Sequence, residues 1–99
     1  MKKVIVIGGG ASGLMAAITA KKQHADVLIL ERNNKLGKKI LATGNGRCNF
    51  TNVDATEMHY NHPYFVRPVF EQMSPKKTLQ LFEQLGITPK IEGEGKTYP

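Results

Sequence analysis

Three glycines, one acidic residue and a polar loop carry the chemical signal in this sequence. Gly8, Gly10 and Gly13 have the G-x-G-x-x-G spacing of a dinucleotide-binding turn. In such a turn Gly8 permits the tight bend, Gly10 lets backbone approach a pyrophosphate, and Gly13 lets helix and strand pack closely. The amides of Ala11 and Ser12, in the first turn of the following helix, face the negative charge, aided by the helix dipole and the Ser12 hydroxyl. Glu31 lies 18 residues beyond Gly13, where a carboxylate can accept hydrogen bonds from both ribose hydroxyls of an adenosine. Arg32 beside it can stack on adenine or meet a 2′-phosphate. The neighbouring Glu31 repels that phosphate and favours the adenine or ribose role.

These residues need a strand, a turn, a helix and a second strand to position them, and the chain supplies that order. Lys3–Ile7 is a continuous apolar run rich in Val and Ile, which predicts a parallel strand buried on both faces. From Ser12, residues Leu14, Ala17 and Ile18 take helical spacing, with Lys21 and Lys22 in the last turn. The pattern breaks at 23–26, and Val27–Leu30 reads as a second buried strand ending at Glu31. The prediction is an α/β fold, a right-handed β-α-β unit that forms the N-terminal part of an incomplete Rossmann-type domain.

Further along, Asn33, Asn34 and Gly37 mark a turn, and residues 43–52 form a polar loop too rich in Gly and Asn for a regular element. Residues 54–63 are uninformative. Residues 64–73 suit a short helix that Pro68 limits or kinks. Ser74 then Pro75 read as N-cap and N1 of a helix whose apolar stripe is Leu79, Phe82 and Leu85, with Gly86 at C′. That stripe reads as core packing, and Lys76 and Lys77 as its solvated face. No closing element is expected over 87–99.

Composition narrows the function classes. Fourteen Lys and Arg against eight Asp and Glu leave a charge of +6, which suits nucleic acid or a polyanionic cofactor. The basic residues are spread along the chain with no aromatic interleaving, so the cofactor is favoured and nucleic acid is not expected. No apolar run approaches the roughly 18 residues of a membrane span. Met1-Lys-Lys and the run after it are too short for a signal peptide. The single cysteine, Cys48, excludes an internal disulfide. A cytoplasmic protein without a membrane partner is expected. His24, His59 and His62 lack metal-ligand spacing, and no metal is expected.

The fingerprint around Gly8–Ala17 and the long motif Gly37–Asn52, containing Thr43-Gly-Asn-Gly-Arg-Cys-Asn, resemble the N-terminus of a bacterial flavoprotein family. Its members are known as NAD(P)/FAD-dependent oxidoreductases of the BaiN-like or aminoacetone-oxidase type. The resemblance covers nearly the whole chain, to the closing Glu-Gly-Lys-Thr-Tyr-Pro. The family usually has Ser at Thr43 and often Arg at Lys96; both differences preserve the chemistry. The resemblance implies a two-dinucleotide-type FAD fold of about 400 residues with an inserted second domain. Residues 1–99 would then be the N-terminal portion of the FAD domain, and the cofactor FAD, with NAD(P)H a possible electron donor. It also implies that Lys39, Gly44, Asn45, Gly46 and Arg47 line the flavin side. The residues agree: Lys39 and Arg47 can neutralise phosphates, and Gly44 and Gly46 let amides point at the cofactor. Flavin disulfide reductases need a cysteine pair, so Cys48 alone reads as a packed thiol.

No catalytic residue is assigned, and the substrate and oligomeric state stay open. Three other readings remain at this point: a truncated, non-catalytic nucleotide-binding fragment, an NAD(P)-dependent dehydrogenase, and a flavin-dependent RNA-modifying enzyme.

Overall fold

A computed structural model describes all residues 1–99, which form two compact units, Met1–Gly46 and Arg47–Pro99. The first unit runs β1 (Lys3–Ile7), α1 (Ala11–Lys22), β2 (Asp26–Leu30) and α2 (Lys38–Ala42), ending in a 3-10 turn over Thr43–Gly46. β1 and β2 pair in parallel, from Lys3 opposite Asp26 to Ile7 opposite Leu30. The expected β-α-β unit is present, with each boundary within a residue of its sequence signal.

The strands differ from expectation in one respect. Val4, Val6, Val27 and Ile29 are half-buried, whereas Ile5, Ile7, Leu28 and Leu30 are exposed, Ile7 by 78%. An apolar run is compatible with burial on both faces, but covering two faces takes two layers, and this unit packs one long helix on its strands. One face of the sheet is therefore apolar and open.

α1 ends in a device that composition did not reveal. The His24 N–H donates to the Lys21 carbonyl at 2.9 Å and the Ala25 N–H to the Ala20 carbonyl at 3.2 Å. This is a Schellman motif with His24 at C′, in the left-handed region at φ 63°. A β-carbon is unfavourable there, and His24 is exposed. His24→Gly is expected to stabilise the chain by about 0.5–1 kcal/mol, read as an upward shift in the urea midpoint.

The second unit contains β3 (Thr51–Asn52), α3 (Pro63–Gln72), α4 (Pro75–Gln84), β4 (Lys90–Ile91) and β5 (Lys96–Tyr98), with short 3-10 turns at Glu57–His59 and Gly93–Gly95. Its strands form an antiparallel sheet in the order β3-β5-β4. Two expectations are corrected here. The loop over 43–52 ends in a strand, and residues 87–99 do contain closing elements, β4 and β5. Strands of two or three residues are too short to show alternation, and the partner of β3 lies more than forty residues away. Thr97, at the centre of this sheet, is fully buried.

α3 runs through Pro68 without interruption, starting with Pro63 at its first turn. The ends of α4 match their sequence signals, whereas of its expected core stripe Leu79 and Phe82 are half-buried and Leu85, at the end of the helix, is exposed. The Ser74 hydroxyl accepts the Lys77 N–H at 3.2 Å, and Gly86 at φ 89° closes a second Schellman motif through the Ile87 N–H to Phe82 carbonyl bond at 3.0 Å. Phe82 packs its ring against Phe50, centroids 4.2 Å apart. Residues 54–63, silent in the sequence, hold a capping box. The Thr56 hydroxyl accepts the Met58 N–H, and His59 Nδ1 accepts the Thr56 N–H.

Candidate functional site

The glycine turn joins β1 to α1, and each glycine has a separable reason to be one. Gly8 has φ 96°, a conformation that side chains disfavour, and its N–H donates to the Leu30 carbonyl at 2.8 Å. A β-carbon at Gly13 would fall on the Gly8 carbonyl oxygen, so this is the point where helix and strand touch. Gly10 is different. Its φ of −80° suits any residue, and a β-carbon there would meet nothing within 4 Å. Neither backbone nor packing requires glycine at position 10, and the space beside it is open.

Gly10 is also the N-cap of α1, and no side chain caps this helix end. Ala11 and Ser12 are exposed and the first turn holds no acidic residue. Its amides are thus free to bind an anion, with the helix dipole reinforcing the attraction.

Glu31 extends from the end of β2 toward this turn. Its Oε1 accepts the Gly9 N–H at 2.8 Å and its Oε2 the Asn33 N–H at 2.8 Å. The Asn33 bond first, the Gly9 bond next and the Arg32 charge last hold its carboxyl below the ordinary 4.5, so it stays ionised. Gly9 is the residue that sequence reasoning missed. It is buried, and its carbonyl accepts the Gly37 N–H at 2.7 Å. The available signal was the unbroken run Gly8-Gly9-Gly10, whose middle member the fingerprint leaves unspecified.

The remaining predicted residues of the first unit lie further on. Arg32 is exposed beside Glu31, and Lys39 is exposed on α2, whose N-cap Gly37 is tied to Gly9. Gly44, Asn45 and Gly46 follow one another with φ of 60°, 54° and 85°, so the motif encodes an unusual left-handed stretch of backbone. The first unit carries eight Lys and Arg against two Asp and Glu, and the second carries six against six. The whole charge of +6 therefore resides in the unit with the glycine turn, as a polyanion site requires.

Arg47 belongs to the second unit. Its guanidinium forms a two-pronged pair with Glu92, with Nη1 to Oε1 at 3.1 Å and Nη2 to Oε2 at 2.5 Å. It also lies over the Tyr98 ring, 4.1 Å from the centroid. The Glu92 bond raises the Arg47 pKa, and the same bond lowers that of Glu92. Arg47 is thus committed to a partner within its own unit. A hollow of about 270 Å³ in that unit is lined by Phe50, Tyr60, Phe70 and Met73 among others, and no predicted site residue borders it.

The family model of the HI0933-like protein Rossmann domain matches residues 2–99. The chain is 48% identical to the 3-dehydro-bile acid delta(4,6)-reductase of Clostridium scindens over 103 aligned residues, covering all of this chain and 25% of that protein. It is 37% identical to the ribosomal RNA dihydrouridine synthase of Haemophilus influenzae over 86 residues, covering 85% of this chain and 21% of that protein. It is 31% identical to flavin-containing amine oxidase A of Canis lupus familiaris over 108 residues, covering all of this chain and 18% of that protein. The chain thus spans about a quarter or less of the length of these relatives.

Proposed function

The chain belongs to the HI0933-like family of Rossmann domains, and on that premise we propose that it holds the ADP half of an FAD in a flavin-dependent oxidoreductase. The observation that carries this reading is the bare Gly10 at the uncapped start of α1. Among the fingerprint glycines it alone has no reason within the protein, and a pyrophosphate against the first-turn amides supplies one. Glu31 would accept the ribose hydroxyls with the lone pair left free on each oxygen. Arg32, Lys39 and the amides of Gly44–Gly46 would serve the rest of the dinucleotide, and Arg47, paired with Glu92 through two of its five N–H groups, keeps donors for a phosphate. Flavin as the redox group is supported by the flavin-containing relative and by the Gly37–Asn52 motif, which a simple NAD(P) dehydrogenase does not need.

When bound, the flavin would supply hydride or electron transfer at N5. The residues of this chain would bind its adenosine end, orient it and balance its charge. In this reading residues 1–99 are the N-terminal portion of the FAD domain, NAD(P)H is a candidate electron donor, and the single Cys48 suits the cytoplasm. No helix is long and apolar enough to cross a membrane.

RNA as a substrate is the second reading, supported by the charge of +6 and by the relative named for ribosomal RNA. Confinement of that charge to the unit with the glycine turn favours the cofactor.

Competition binding tests the proposal. FAD and ADP should displace each other from the chain, FMN, which lacks the adenosine half, should fail to compete, and NADP⁺ should bind more weakly than NAD⁺ because Glu31 repels a 2′-phosphate. FMN binding as well as FAD, or preferred NADP⁺, would remove the ADP-half reading.

A further inference from the structure

Both oxygens of Glu31 are already engaged by the protein, Oε1 by the Gly9 N–H and Oε2 by the Asn33 N–H, each at 2.8 Å. Gly9 is buried, with the Leu36 side chain where its β-carbon would stand. Its carbonyl is held from the other side by the Gly37 N–H at 2.7 Å. Gly9 is therefore held through both of its peptide groups, and the Gly8–Gly9 peptide that Glu31 holds leads the turn from Gly8 toward the N-cap Gly10. A rotation of that peptide would carry Gly10 and the first amides of α1 with it.

We propose that Glu31 is a positioning residue for the glycine turn: its carboxylate sets the Gly9 peptide and so aims the anion-binding amides of α1, whether or not it also contacts a ribose. The proposal rests on the functional reading above only in taking pyrophosphate as the occupant of those amides. The chemistry calls for a carboxylate. Two backbone N–H groups point at its two oxygens, and an amide at this position would turn its NH₂ toward one of them, placing donor against donor. A carboxylate satisfies both and keeps a lone pair on each oxygen. Arg32 is the charged neighbour that favours the ionised form.

The test separates positioning from ribose contact by using two halves of the nucleotide as independent probes. The unmodified chain and E31Q are titrated with inorganic pyrophosphate, which has no ribose, and with adenosine, which has no phosphate, while amide resonances and their hydrogen exchange are followed. In E31Q, Gly9 exchange should accelerate and pyrophosphate affinity should fall, each by about tenfold. In the unmodified chain, the Gly9 and Asn33 amides should shift together on acidification, with one midpoint shared with the Glu31 carboxyl carbon and lying below 4.5. That measurement needs no variant to fold. Unchanged Gly9 exchange and pyrophosphate affinity alongside weaker adenosine binding would make Glu31 a ribose ligand only, overturning the positioning role and leaving the proposed function standing. Faster Gly9 exchange in E31Q, with neither probe binding the unmodified chain, would support the coupling and overturn the nucleotide reading instead.

Discussion

Gly13→Ala is expected to unfold the Met1–Gly46 unit or bring it to the edge of unfolding. The added β-carbon would land on the Gly8 carbonyl oxygen and crowd the carbonyl carbon behind it. Neither α1 nor Gly8 can give way freely, because the Gly8 N–H is bonded to the Leu30 carbonyl across the sheet. Forcing backbone apart at such a contact costs about 3 kcal/mol. A unit of this size has roughly 2–7 kcal/mol in total at the usual stability per residue. Far-UV circular dichroism with a urea titration reads the result, and a wild-type midpoint would refute the close contact. Gly10→Ala is the informative companion. It adds a methyl in open space and should shift the urea midpoint little. Against a bound pyrophosphate the same methyl should weaken binding. One glycine of the fingerprint is thus tested as architecture and another as a ligand surface.

Gly95→Ala should be comparably damaging to the Arg47–Pro99 unit. Gly95 is buried with φ 79°, so alanine meets the left-handed penalty of about 1–2 kcal/mol. Its β-carbon would also fall on the side-chain oxygens of Asn52 and Asp54. The Asn52 side chain is held in place: its Oδ1 accepts the Asp54 N–H at 2.9 Å while its Nδ2 donates to the Glu94 carbonyl at 2.9 Å. The Gly95 carbonyl itself accepts the Val53 N–H and the Thr97 hydroxyl. A total cost of about 2–4 kcal/mol is expected. It would appear as loss of protection at the β5 amides, because β5 is the strand that β3 and β4 share. Protection equal to that of the parent chain would show that the junction can relax.

The parts of this protein legible in the sequence are those whose signal is local. Lys3–Ile7, the glycine turn, the start and end of α4 and the position of Glu31 all rest on a few neighbouring residues, and each appears where its residues predict. Ser74 and Gly86 bracket α4 because capping depends on hydrogen bonds within one turn. The motif of residues 37–52 was specific enough to point to the family, but not to the conformation of its own backbone.

What the tertiary structure decided is everything that depends on residues far apart. β3 pairs with β5 across more than forty residues, and β4 pairs with β5 through only two residues, so no short window showed this sheet. The open face of the β1–β2 sheet depends on how many layers cover it, which an apolar run does not encode. Arg47, expected by type to meet a phosphate, is paired with Glu92 and Tyr98, partners more than forty residues away that no local window shows. Glu31, placed by spacing as a ribose acceptor, turns both oxygens to backbone N–H groups, one of them on a glycine the fingerprint leaves blank. Sequence by itself determined that a carboxylate would stand beside the glycine turn. Only the folded chain, by bringing Gly9 within hydrogen-bonding distance of Glu31, decided that the carboxylate also holds the turn in shape.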